Sequence, residues 1–180
     1  MVLEIGQLFY LFILGLILAL LEIEIEGTEG WAKNLPTKKI KFWWYAKFGK
    51  EVTGYHLALQ VFLLLFFHLP LVLFHNFSLE LELLVLTQYF FFLVYWDFLW
   101  FVLNPGFRLR NFKRGGVPWY AKWFLGLPAE YWLALVVGVF LPAVFFGLPA
   151  VIIQLEYFLT YLSLTILTII LFFIFARHRL

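Results

Sequence analysis

The sequence predicts an all-α polytopic membrane helix bundle with five transmembrane helices, and three observations carry that reading. Of the 180 residues 64% are apolar and only 13% charged, against about 45–50% and about 25% in an ordinary soluble domain. The apolar residues gather into five long stretches. The thirteen Lys and Arg lie only between or beyond those stretches, in positions that a five-span chain places on one side.

A spanning helix needs about 20 mostly apolar residues, because the hydrocarbon layer is about 30 Å thick and a helix rises about 1.5 Å per residue. The stretches that qualify are 2–23, 55–75, 79–103, 128–146 and 150–176. Pro128 and Pro149 suit first-turn helix positions. Residues 76–78 and 147–149 read as tight turns, while 24–54 and 104–127 are long enough to carry functional groups. The aromatic content of 23% suits a short bundle whose Trp and Tyr rings reach both headgroup layers.

Lys and Arg near a span resist translocation and collect on the cytoplasmic side. Six lie in the loop 24–54, five in the loop 104–127, and Arg177 and Arg179 in the tail. Five spans put all of them in the cytoplasm, with the N-terminus outside and the C-terminus inside a cell membrane; four or six would split them. The first span has no basic n-region and no A-x-A site, so it is expected to be retained. Lys38 to Lys47, Arg108 to Arg114 and Trp119 to Phe124 mix basic and aromatic residues. Such text suits the surface of a lipid bilayer with anionic headgroups, and loops tethered at both ends to spans argue against nucleic acid.

Absence of Cys excludes disulfides, thiolate nucleophiles and Cys-ligated metals. Walker, serine-elbow and nucleotide-binding glycine motifs are also absent, and with only Ser78 and Ser163 present a serine triad has little to build on. What remains is a set of polar groups within or beside the spans, where an ionisable side chain costs about 2.5–3.5 kcal/mol and marks function or pairing. Asp97 sits inside the third span, and Asn104 lies seven residues on, near the same face. Glu22, Glu24 and Glu26 crowd the C-terminus of the first helix, where the macrodipole already contributes negative charge. The compensating cation is either a loop lysine such as Lys33 or a bound metal. His56 opens the second span at the same level, with Gln60 one turn deeper.

Glu22, Glu26, His56, Asp97 and Asn104 are therefore the candidate ligands of a divalent metal, with mixed N/O donors suited to Zn²⁺, Mn²⁺ or Fe²⁺. Asp97, His56, Glu26 and Glu22 are the candidate catalytic groups of an acid/base site. No fixed ligand motif such as H-E-x-x-H supports the metal, and structural hydrogen bonding between helices is the plain alternative. A second polar group, His68 and His75 with Glu80, Glu82 and Glu156, lies toward the outer side; the two acids beside the turn are expected to be solvated. In the last span Gln154, Tyr157, Tyr161, Thr165 and Thr168 form one helix face and read as interhelical contacts, while Glu156, Thr160 and Ser163 lie on another.

Trp44-Tyr-Ala-Lys47 recurs as Trp119-Tyr-Ala-Lys122, and Tyr55-His-Leu-Ala-Leu59 as Tyr131-Trp-Leu-Ala-Leu135. The spacing predicts a parallel repeat in which helices one and two superpose on three and four, with Glu22 and Asp97 equivalent. Coincidence in a Leu- and aromatic-rich text is the alternative.

The text from Glu26 to Pro36, Gly54-Tyr-His56 and Asp97 to Pro105 resembles an uncharacterised family of small prokaryotic multi-pass membrane proteins, over most of the chain. The resemblance implies that these three segments belong together and assigns no activity. It also implies that a His is usual at the position of Tyr120, so one ligand of any metal site would be missing here.

Two functions follow. One is a small membrane-embedded enzyme, metal-dependent or acid/base, acting on a lipid or isoprenoid at the cytoplasmic interface, with loop Lys and Arg holding phosphate. The other is a non-catalytic membrane component, a subunit, oligomer or small carrier, in which the same groups join helices.

Overall fold

The computed structural model describes residues 3–40 and 52–175. It is an all-α bundle of five helices, each long and apolar enough to cross a membrane: α1 Ile5–Glu26, α2 Gly54–Leu73, α3 Leu79–Leu103, α4 Ala129–Phe146 and α5 Leu148–Phe175. Two antiparallel strand pairs of two residues each are added to the helices read from sequence. They are β1 (Lys39–Ile40) with β2 (Val52–Thr53), and β3 (Trp123–Phe124) with β4 (Leu127–Pro128). Each pair runs directly into a helix, β2 into α2 and β4 into α4.

Helix ends follow local chemistry. Thr53 caps α2, accepting the His56 amide at 3.2 Å, and Ser78 caps α3, accepting the Leu81 amide at 3.2 Å. Gly27, at φ 75°, ends α1 and donates its amide to the Ile23 carbonyl. The first helix thus runs to Glu26 and carries Glu22, Glu24 and Glu26 on its last turns, past the span expected to end at residue 23. The second ends at Leu73, so His75 lies in the turn at φ 49° and does not share a helix face with His68. A single residue, Gly147, separates α4 from α5.

α3 is the centre: it packs against all four other helices, and 61% of its apolar window is buried, while α2 touches the rest of the bundle chiefly through α3. Rings from three helices meet there, with Tyr95 stacked on Phe12 of α1 at 5.5 Å and on Tyr161 of α5 at 4.7 Å. The polar stripe of α5 turns inward. Tyr161 donates to Gln88 Oε1 at 2.6 Å, Tyr157 accepts the Leu3 amide at 2.6 Å, and Gln154 and Thr165 are buried. Thr160 and Ser163, on the outer face with Glu156, donate to carbonyls four residues back. At the short-turn end His68 Nδ1 meets the Leu64 carbonyl at 2.6 Å and Nε2 meets Glu82 Oε1 at 3.0 Å, so Glu82 is paired and not merely solvated.

The helix pairs do not pack as equivalents. α3 and α4 share the most extensive interface in the bundle, whereas α1 and α2 are joined by no comparable contact. What does recur is local: a strand pair delivering an aromatic–polar helix start. Trp44 to Lys47 lies outside the described residues.

Close helix approach depends on missing side chains. A Cβ on Gly15 would overlap the Tyr95 ring, and one on Gly138 would lie 2.8 Å from Phe91, whereas Gly6 has nothing within 4 Å. Gly15→Val should therefore lower unfolding stability in detergent by about 1–3 kcal/mol, the usual cost of overpacking. Gly6→Val should leave the thermal transition in place. Equal transitions for both variants would contradict this packing.

Candidate functional site

Four helix ends meet at the end of the bundle that carries the long loops. Glu22 and Glu26, four residues apart on the last turns of α1, point to one face and are buried, while Glu24 faces outward. The chain then reverses over them. Ala32 donates its amide to Glu26 Oε1 at 2.8 Å, with Trp31 and Ala32 in the left-handed region. Gly30 permits this course, since a Cβ there would lie 2.7 Å from Trp100.

His56, in the first turn of α2, meets Glu26 Oε1 through Nε2 at 3.1 Å. Its Nδ1 lies 2.7 Å from the Thr53 hydroxyl, and its ring stacks on Trp31 at 4.3 Å. The capping threonine thus also fixes the ring that its helix presents. With the Thr53 hydroxyl donating to Nδ1, Nε2–H donates to Glu26; with Nε2 on a cation, Nδ1–H donates to Thr53. The tautomer can follow the ligand with no change of rotamer.

Asp97 enters the same cavity from α3. Its Oδ2 accepts the Tyr120 hydroxyl at 2.7 Å and, in a short contact, the Tyr131 hydroxyl. Burial first, and the neighbouring Asp97 charge second, hold the Tyr120 phenol well above its usual pKa, so it remains a hydrogen-bond donor at all ordinary pH. Glu130 also lines the cavity, which encloses about 310 Å³. Trp31, Trp96, Trp100 and Trp119 wall it, and the buried indole N–H groups of Trp96 and Trp100 have no hydrogen-bond partner among the described residues.

One oxygen from each of Glu22 and Glu26 and a nitrogen of His56 lie within 4.8 Å of one another. Metal–ligand bonds of about 2.0–2.2 Å put tetrahedral donors about 3–3.5 Å apart. Glu26 and His56 already stand at that separation. The donor set, two carboxylates and an imidazole oriented by a hydroxyl, suits Zn²⁺, Mn²⁺ or Fe²⁺. Asp97 faces the same cavity from the side of the two phenols.

Asn104 is not brought to the cavity. It is the C-cap of α3, where its Nδ2 donates to the Thr28 carbonyl at 3.0 Å and its Oδ1 accepts the Gly106 amide at 2.8 Å. Seven residues do return near Asp97's face, but the chain leaves the helix there and the amide is consumed by the loop it anchors. Lys33 does not compensate the buried acids either. It pairs at 3.0 Å with the exposed Glu29, whose carboxyl is held below its usual pKa by hydrogen bonds from Lys33 and Asn34. Tyr131, Glu130 and the tryptophans escape the sequence reading because such residues at a span's edge are ordinary interfacial anchors. The four-residue spacing of Glu22 and Glu26 was the available signal for a paired site.

Removing the Thr53 hydroxyl takes away both the cap of α2 and the tether on His56. Thr53→Ala should cost about 1 kcal/mol of stability and broaden or shift the His56 ring resonances, while Thr53→Ser should restore both. An unperturbed His56 spectrum in Thr53→Ala would remove the orienting role. No protein-family model, no curated protein and no solved structure matches the chain.

Proposed function

We propose that this protein is a small membrane-embedded, metal-dependent enzyme acting on a lipid or isoprenoid at the cytoplasmic face of the cell membrane. The observation that carries the reading is the convergence of Glu22, Glu26 and His56, with Asp97 in the same cavity, at the loop end of a bundle of spanning helices. Glu22 and Glu26, buried beside one another with the His56 imidazole, form a donor set that a cation would stabilise. Two of the acids are almost wholly buried, unlike a solvated acidic surface.

Glu22, Glu26 and His56 Nε2 would hold the metal, which supplies a Lewis acid and an acidified water. Asp97 would then hold or move a proton on its carboxyl group, whose Oδ2 the Tyr120 and Tyr131 hydroxyls fix by donating to it. The tryptophan wall limits water at the reacting group.

Orientation rests on charge. Among the described residues every Lys and Arg lies in the loop-end segments, at positions 33, 38, 39, 108, 110, 113, 114 and 122, and none in the turns 74–78 or 147. By the positive-inside rule the loop end is cytoplasmic and the N-terminus external. The alternative of a membrane subunit draws on Glu156, whose exposed side chain on α5 faces outward within a span; such a group suits a helix covered by another protein.

Elemental analysis of the detergent-purified chain tests the enzyme reading. Stoichiometric zinc, manganese or iron is expected, with Glu26→Gln and His56→Ala losing affinity by at least about 10–100-fold and Asn104→Ala losing none. A folded wild-type chain that refuses all three ions after chelation would overturn it. Orientation is checked separately in the Cys-free background: Ser78→Cys should label from outside the cell, and Gly115→Cys only after permeabilisation.

A further inference from the structure

We infer that the junction of α3 and α5 at the loop end holds one molecule of an anionic phospholipid, its phosphate on Arg108 and Arg110 and one acyl chain in the apolar groove that continues from them. The seat is independent of the enzyme reading, since none of Glu22, Glu26, His56 and Asp97 lines it. Two features lead there: a cationic recess in the turn after α3, and the alignment of that recess with a groove one leaflet long.

The loop 104–127 contains five Lys and Arg and neither Asp nor Glu, so the chain leaving α3 is cationic throughout. Arg108 and Arg110 are set within a tightly fixed part of it. Asn104 caps α3, and its Oδ1 accepts the Gly106 amide at 2.8 Å. The Asn111 amide then donates to the Arg108 carbonyl at 2.8 Å, closing a single 3-10 turn over Leu109–Asn111. Rings anchor this turn on both sides. Phe107 and Phe112 pack against Phe101 at 4.9 and 4.8 Å, and Phe112 also meets Phe98 at 5.0 Å. The backbone carrying both guanidinium groups is thus fixed before any ligand arrives, which lowers the ordering cost of binding. Together with Val102, Asn104, Phe172 and Phe173, the two arginines line a recess of about 280 Å³.

The recess lies in register with a groove of about 320 Å³ between the helices. On α3, Phe98 lines the groove and Val102, four residues on, lines the recess; on α5, Ile169 lines the groove and Phe172 and Phe173, three and four residues on, line the recess. Residues so spaced share one helix face, so groove and recess follow a single seam between α3 and α5. Polar side chains lining the groove turn those groups elsewhere. Tyr95 donates to the Leu11 carbonyl, Tyr161 to Gln88, Thr165 to the Tyr161 carbonyl and Tyr131 to Asp97. From Leu162 to Phe173 the seam covers eleven residues, or about 16 Å of helix. That is close to half of a hydrocarbon layer about 30 Å thick, and Leu162 stands at the middle of the 28-residue α5. The groove therefore matches the depth of one leaflet.

The chemistry of the seat selects its occupant. Two guanidinium forks in one recess suit the oxygens of a phosphate group, which each can meet with paired hydrogen bonds. A free phosphate would use the forks and leave the groove, whereas a hydrocarbon chain alone would do the reverse. A phospholipid carries both parts at the spacing the seam offers. Phosphatidylcholine would bring its own cation beside the arginines, so a head of net negative charge such as phosphatidylglycerol is favoured.

The test uses the full chain in phosphatidylcholine vesicles at about 0.15 M salt, where charges beyond about 8 Å are screened. Phosphatidylglycerol or phosphatidylcholine bearing a diazirine in one acyl chain is added as a dilute probe, and cross-linked residues are located by mass spectrometry. The phosphatidylglycerol probe should label α5 between Leu162 and Phe173 about tenfold more than the phosphatidylcholine probe, as two arginine contacts allow. Unlabelled phosphatidylglycerol should compete, and inorganic phosphate should not. Arg108→Gln with Arg110→Gln should abolish the preference, while Lys113→Gln with Arg114→Gln, which removes the same charge outside the recess, should keep it. Ile169→Trp should independently suppress labelling by filling the groove. Equal labelling by the two probes would overturn the proposal. So would equal losses in the two double variants, which would mean a diffuse surface attraction, or competition by inorganic phosphate, which would mean a free-anion site.

Discussion

Glu26 Oε1 receives the Ala32 amide and the His56 ring at once, and through that one oxygen three stretches of chain are set against each other. The loop after α1 must fold back far enough to bring Ala32 over the helix end, and α2 must begin where its first turn reaches the same atom. A buried carboxylate cannot tolerate the loss of either partner cheaply, since an unmatched charge of this kind costs several kcal/mol. The loop's left-handed residues and the glycine under Trp100 are consequences of that demand. So is the placement of Trp31, which the reversal lays flat on the imidazole.

The remainder of the bundle can be understood as support for α3, which carries Asp97 into this assembly. Lipid gives helices no hydrophobic reason to associate, so contact rests on close packing and on satisfied polar groups. Both are seen along α3: Gly15 and Gly138 let their helices approach its rings, and Thr87 donates to the Gly138 carbonyl at 3.0 Å. α2, attached mainly to α3, relies on its N-terminal end for position, where Gly54 donates to the Lys38 carbonyl at 2.7 Å and Tyr55 to Thr37 Oγ1 at 2.9 Å. The site is thus best fixed where the bundle itself is loosest.

The five spans were legible because insertion into hydrocarbon demands length and apolarity from each segment alone. Asp97, His56, Glu22 and Glu26 were legible for a related reason, the cost of an ionisable group at a span's end. Partners were not, because they are fixed by helix rotation and loop course. Glu22 and Glu26 were readable as neighbours at the C-terminus of the first helix, and α1 does run through Glu26, but which partners their shared face meets depends on the loop that folds back over it. Asn104 shows an error: helical spacing placed it beside Asp97, but helical spacing lapses at a cap. Tyr131 and Glu130 look like any interfacial start to a span, and only the docking of α4 on α3 gives them Asp97 as a neighbour.

At the opposite end of the bundle, the contacts of His68 fix a proton inventory. The Leu64 carbonyl can only accept, so the ring nitrogen facing it must carry hydrogen. The other nitrogen faces a carboxyl oxygen of Glu82, and that contact also needs a hydrogen between its two atoms. Whichever atom owns it, imidazole and carboxyl together hold one proton more than a neutral ring beside a carboxylate, and the pair sums to zero charge. Two polar residues on separate helices thereby enter the hydrocarbon layer as one electroneutral unit, and α2 and α3 can part there only by taking an unbalanced ion, or a proton without its partner, into the lipid.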